Sequence, residues 1–257
     1  MNEIAGTESM PSSSTLETLE TLKTPKTPKT PKTLQTPKTL QTPRTRFFGL
    51  SLPYRTYTGD FWFARRIGSD LWFALGDVAG KGARSAIWMV MILEELDRLV
   101  VRHRGPREVC GVVRALDAML REELPPNRFA TLVVGRAGAA GELIVANAGH
   151  PAPLLLRADG RIEAFTPNGP AAGILPNRCW GATRSTLDTG EILLMYTDGL
   201  LEATQDDGTE LGEVGIRALL AGSAREPREA ANALLAGALE RAAPGDDLTL
   251  LAVGAGA

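Results

Sequence analysis

The chain has 257 residues, enough for one large domain or two small ones, and its 44% hydrophobic and 23% charged content suits a globular protein with a sizeable core. Twenty-eight basic against 30 acidic side chains leave a formal charge of −2, which argues against a nucleic-acid binder. Two cysteines (Cys110, Cys179) and two histidines (His103, His150) are too few for a disulfide framework or a histidine- and cysteine-rich metal centre. In chain order, residues 1–45 come first and read as a disordered tail. A threonine recurs at every third position from Thr15 to Thr45, and Pro25, Pro28, Pro31, Pro37 and Pro43 exclude a continuous helix. With so little apolar surface to offset ordering entropy, no core is expected there. The N-terminus lacks an apolar stretch of the secretory kind.

A single domain is predicted over 46–257. Apolar residues alternate loosely through 54–66, and residues 70–75 form a short apolar run into Gly76-Asp77; both read as strands. The period then changes. Ile87, Val90, Met91, Leu93, Leu96, Leu99 and Val100 predict a helix to about His103. A second helix is expected over about 106–124, with Val109, Val112, Val113, Leu116 and Leu120 inward and Cys110 packed on its apolar side. Strands are predicted at 129–136, 141–148, 152–157, 183–188 and 191–197, helices at 211–221 and 226–242, and a last strand at 247–253. This order lacks the strand–helix alternation of a parallel sheet and predicts an α+β layered fold. The longest unbroken apolar run, Ala86 to Leu93, is eight residues, well below the ~20 that span a bilayer. A soluble, cytoplasmic protein without membrane contact is therefore expected.

Four aspartates stand at strand ends beside glycine or a turn: Asp60, Asp77, Asp198 and Asp246. Each alone reads as a turn residue. If the strand ends converge, the carboxylates repel one another unless a cation lies between them, and hard divalent ions prefer oxygen ligands. Two ions about 4 Å apart can activate a water for attack on phosphorus without a protein nucleophile. Lys81, between Gly80 and Gly82, does not complete a phosphate loop, because three residues rather than four separate Gly76 from Gly80 and no hydroxyl follows the lysine.

Segments across residues 50–253 carry a resemblance: Gly59-Asp60-Phe61-Trp62-Phe63, residues 76–82, Phe129 to Leu132, Asn147 to Pro151, Gly169 to Gly173, Tyr196 to Gly199 followed by Glu202-Ala203, and Asp246 to Thr249. In this order they resemble the metal-dependent (PPM, type 2C) protein phosphatases, in the bacterial branch of the stage II sporulation protein E phosphatase and the partner-switching stress regulators. The resemblance implies a four-layer α-β-β-α sandwich with two central, mainly antiparallel sheets and the site at one end. It implies two Mn²⁺ or Mg²⁺ ions, with Asp77 bridging them, the Val78 carbonyl beside it, Asp198 and Asp246 on the other faces, and Asp60 close by. Asp247, Gly199 and His150 are weaker candidates, with Asp247 favoured as a supporting residue and His150 read as structural before catalytic. The implied substrate is a phosphorylated protein of the anti-sigma-factor antagonist type; regulation is expected from a separate activating protein, from a homodimer or from the tail. One departure stands out: Phe63 occupies the place of an acid. It supports a competing reading, a catalytically weak regulatory module of the same fold.

Overall fold

The computed structural model describes residues 38–41 (40 and 41 by backbone alone), 44–54, 56–80, 82–102, 108–125 and 127–256. The remainder of the predicted tail, together with Arg55, Lys81, His103 and the expected start of the second helix at 106, lies outside the described residues. The chain opens with strands β1 (Lys38–Gln41), β2 (Thr45–Leu52), β3 (Phe61–Ile67) and β4 (Asp70–Val78), then helices α1 (Ala83–Arg102) and α2 (Val109–Glu123). Strands β5 (Ala130–Ala137), β6 (Glu142–Ala148), β7 (Leu154–Leu156), β8 (Ile162–Ala164), β9 (Thr183–Thr186) and β10 (Ile192–Tyr196) follow. The chain closes with α3 (Asp198–Leu201), β11 (Thr204–Gln205), α4 (Gly212–Ala221), α5 (Pro227–Leu239), β12 (Ala242–Ala243) and β13 (Leu248–Ala255).

Two antiparallel sheets result, one ordered β1-β2-β13-β10-β7-β8 and the other β3-β4-β5-β6-β9. The two-residue period of a strand sorts their side chains into three apolar layers. On β4, Leu71, Phe73 and Leu75 face the other sheet, while Trp72, Ala74 and Val78 face α1 and α2. On β10, Leu193 and Met195 face inward between the sheets, and Ile192, Leu194 and Tyr196 face α4 and α5. The expected α-β-β-α sandwich is the observed architecture.

Several elements differ from the sequence reading, each for a physical reason. Residues 38–41, assigned to the tail, pair with 46–49 and extend the six-stranded sheet, so the domain starts before residue 46. Residues 53, 54 and 56–60 are not strand, and β3 starts at Phe61, which leaves Asp60 on the connecting segment. Leu96, Leu99 and Val100 of the α1 stripe are buried as expected, but its first turns are rotated: Ser85, Met89 and Ile92 are buried there, whereas Ile87 is 55% exposed. An unbroken apolar run such as 86–93 does not by itself select a face. On the observed face the small Ser85 packs beside Gly59 and Gly80. In α2 all five expected inward residues are buried, and Cys110 is half-buried. Helix α5 stops at Leu239 because residues 242–243 pair with 204–205.

Candidate metal centre

Antiparallel pairing carries the aspartates to one end of the sandwich. Phe61 pairs with Gly76 in β3–β4, so Asp60 and Asp77 are the next positions across the same ladder. In the other sheet Tyr196 pairs with Leu250, which puts the end of β10, with Asp198, beside the start of β13, with Asp246 and Asp247. The Thr197 amide donates to the Thr249 carbonyl at 3.1 Å and continues that ladder. Asp60, Asp77, Asp198, Asp246 and Asp247 all line one cleft of about 540 Å³, together with Thr56, Tyr57, Gly59, Gly80 and Gly82.

Close backbone approach shapes this cleft. A Cβ on Gly59 would stand 2.8 Å from Asp77 Oδ1 and 2.9 Å from the Val78 carbonyl, so a glycine is required where these two oxygens converge. A Cβ on Gly199 would collide with the Asp247 carbonyl, and that contact brings the 198–199 and 246–247 turns together.

The carboxylates are held to different degrees. Asp60 is buried and accepts from Thr197 Oγ1 at 2.7 Å. That hydroxyl in turn accepts from the Thr249 amide at 3.0 Å, and Thr249 Oγ1 lies 2.6 Å from Ser51 Oγ. Asp247 Oδ1 accepts from the Tyr54 amide at 2.7 Å, and Asp246 Oδ1 accepts from the Asp247 amide at 2.9 Å. Asp198 is exposed at the first position of the four-residue α3. Burial first, and then the charges of Asp198, Asp246 and Asp247, push the Asp77 carboxyl up to about 7. Asp60 is also raised well above the ordinary range, by burial and then by Asp77.

Five carboxylates from two sheets, with no basic side chain among the described lining residues, are an all-oxygen set suited to hard divalent cations. Among the described residues no three acidic, thiol or imidazole side chains close around a single point. Asp60, Asp246 and Asp247 are turned onto the hydroxyl and amide donors just named. The donor chemistry therefore fits a divalent ion, and the carboxylates stand apart from one another.

His150 does not line the cleft. Its ring is buried between the sheets, with Nδ1 2.9 Å from Thr131 Oγ1 and Nε2 3.2 Å from the Tyr196 carbonyl. A carbonyl only accepts, so Nε2 carries the proton and Nδ1 accepts from the threonine. Burial pushes the imidazole down to about 3 and keeps it neutral. Thr131 pairs with Asp77, and Tyr196 lies two residues before Asp198. The histidine thus struts the two sheets directly beneath the carboxylates. Phe63 packs with the α1–α2 layer and is absent from the cleft lining. Sequence reasoning missed the roles of Thr131, Thr197, Thr249 and Ser51; the three threonines were in view inside quoted segments, but nothing in the pattern named their partners.

The family model described as stage II sporulation protein E (SpoIIE) matches residues 68–255. The chain is 27% identical over 231 residues to Protein IcfG of Synechocystis, covering 78% of this chain and 36% of that protein. It is 22% identical over 161 residues to phosphoserine phosphatase RsbU of Bacillus subtilis, covering 62% and 47%. The chain therefore spans less than half the length of these curated relatives. Among solved structures, the RsbU and RsbW domains of Rv1364c from Mycobacterium tuberculosis superpose with a TM-score of 0.74 at 24% identity, over 87% of this chain and 63% of that one. Other solved structures of this fold hold magnesium in one case and two manganese ions in another.

Proposed function

The chain belongs to the SpoIIE family, and we propose that it is a metal-dependent protein phosphatase acting on phosphoserine or phosphothreonine. The observation that carries this reading is the convergence of five aspartates from both sheets on one cleft. Asp77 and the Val78 carbonyl, with Asp60, Asp198 and Asp246, would hold two Mn²⁺ or Mg²⁺ ions, and Asp247 and Gly199 would support them. When bound, such ions lower the pKa of water and neutralise phosphoryl charge. The chain's own residues prepare the place: Thr197 orients Asp60, Tyr54 orients Asp247, and His150 sets the spacing of the two sheets.

The substrate class that the relatives suggest is a phosphorylated protein of the anti-sigma-factor antagonist type in a cytoplasmic partner-switching system, with an activating protein or a second copy as regulator. No helix among the described residues is long and apolar enough to cross a membrane. The competing reading, a weak regulatory module, rests on Phe63 and on the separated carboxylates. Hydrolysis of p-nitrophenyl phosphate by the purified chain decides between them. Activity abolished by EDTA and restored by Mn²⁺ supports the phosphatase; no turnover at any Mn²⁺ concentration supports the binding module.

A further inference from the structure

The floor of the cleft is acidic, but beside its Gly80 lies a guanidinium with no acidic partner among the described residues. Arg128 Nη1 donates to the Ala79 carbonyl at 3.1 Å, one residue before Gly80 of the cleft lining. Among the described residues Arg128 makes no ion pair, and its side chain is exposed. The arginines of the molecule's paired networks behave differently: Arg136 binds Asp70, and Arg157 binds Glu163 and Glu191.

Arg128 is also held in place by features that surface solvation does not require. Its amide donates to the Pro125 carbonyl at 3.2 Å, in a turn where Asn127 adopts a positive φ of 66°. The Ala79 amide donates to the Phe129 carbonyl at 2.9 Å, which extends the β4–β5 ladder and ties residue 79 to residue 129. Above that tie the guanidinium lies across Gly80, where a Cβ would collide with Nη1. Gly80 has φ +118°, so its backbone favours glycine. One edge of the guanidinium is thus anchored, on an exposed side chain beside Gly80 of the cleft lining.

We propose that Arg128 is a specificity-determining residue that binds a carboxylate flanking the phosphorylated serine or threonine of the substrate. The inference rests on the phosphatase reading. A guanidinium prefers a carboxylate through paired N–H donors, and pre-anchoring by Ala79 lowers the entropy cost of forming that pair. A neutral or basic flank would leave the donors to water.

The test compares kcat/KM with Mn²⁺ for two phosphoserine peptides, one with aspartates flanking the phosphoserine and one with alanines, and for p-nitrophenyl phosphate. The wild-type chain should prefer the acidic peptide. Arg128→Ala should lose about tenfold on that peptide relative to p-nitrophenyl phosphate, mainly through KM, the size expected of a charged hydrogen bond. Arg128→Lys should recover only part of it, because it lacks the fork, and Arg128→Glu should reverse the preference toward a lysine-flanked peptide. Arg84→Ala, on the next exposed arginine after Gly82, serves as a control for bulk charge and should leave the peptide ratio alone. Equal loss on all three substrates, or an equal effect of Arg84→Ala, would overturn the proposal. A wild-type chain inert toward all three would instead overturn the phosphatase reading, and this inference with it.

Discussion

The two sheets meet along a seam whose halves obey different chemistry. In the interior, Phe47, Trp62, Phe73, Leu193, Met195 and Val253 interdigitate without polar contacts between them, and Phe47 and Trp62 lie with ring centroids 5.4 Å apart. Toward the cleft the same seam becomes polar: Thr131–His150–Tyr196 on one side and Asp60–Thr197–Thr249–Ser51 on the other. The apolar half is non-directional and tolerates repacking, whereas each polar link depends on a particular donor meeting a particular acceptor. The contrast shows that stability and ligand placement are carried by adjacent stretches of the same strands.

The largest effect expected at the polar end is loss of the central carboxylate. Asp77→Asn should lower Mn²⁺-dependent turnover of p-nitrophenyl phosphate by at least about 100-fold, and Asp247→Asn by less, since Asp247 already spends one oxygen on the Tyr54 amide. Equal losses would show that the two carboxylates are not distinguished as proposed.

Next come paired substitutions across the seam. Thr197→Val removes the donor to Asp60 and should weaken Mn²⁺ affinity by roughly 10-fold with a modest change in stability. Leu193→Ala, in the apolar half, should cost about 2–5 kcal/mol in denaturant unfolding while leaving Mn²⁺ affinity near wild type. If both variants moved both quantities together, the two halves would be one cooperative structure.

Proton linkage sharpens the comparison further. The Asp77 carboxyl stands at about 7 when no metal is bound. A raised carboxyl stabilises the metal-free fold below its unfolded value near 4, and that stabilisation is lost as pH rises through 7. Metal binding must expel the proton, so calorimetry in buffers of different ionisation enthalpy should show release of about one proton or more near pH 6, falling toward zero above pH 8. His150 works in the opposite sense. Pushed down to about 3, it costs stability as pH falls below about 6.5. His150→Gln should lower the melting temperature and leave the shape of the pH–rate profile unchanged, whereas loss of one limb of that profile would make the histidine a proton donor.

The smallest effect concerns the edge. Deleting residues 1–37 should leave turnover within about twofold, since the segment is too polar to supply a core. Deleting 1–43 also removes β1, exposes the edge of β2, and should lower the melting temperature by a few degrees.

Much of this molecule was legible in its residues. Unbroken apolar runs at 71–75 and 192–196 specified strands with two buried faces, and the spacing of Val109, Val112, Val113, Leu116 and Leu120 specified the inward face of α2, because in a helix the period encodes which side is apolar. Aspartates beside glycines at strand ends marked where the chemistry would be sought. Tertiary structure alone decided the rest. Pairing Phe61 with Gly76 and Tyr196 with Leu250 brought acids from positions 60 to 247 to one end, and no local pattern states which strands will pair. Ile87 was misread as buried because it lies in an unbroken apolar run that marks no face, and the face is set by packing, which places Ser85 beside Gly59 and Gly80. The role of His150 could not be read from Asn147-Ala148-Gly149-His150-Pro151 either, since its two partners lie 19 and 46 residues away. Sequence determines which groups are present and their local periodicity; a hydrogen bond between distant residues exists only after the chain has packed.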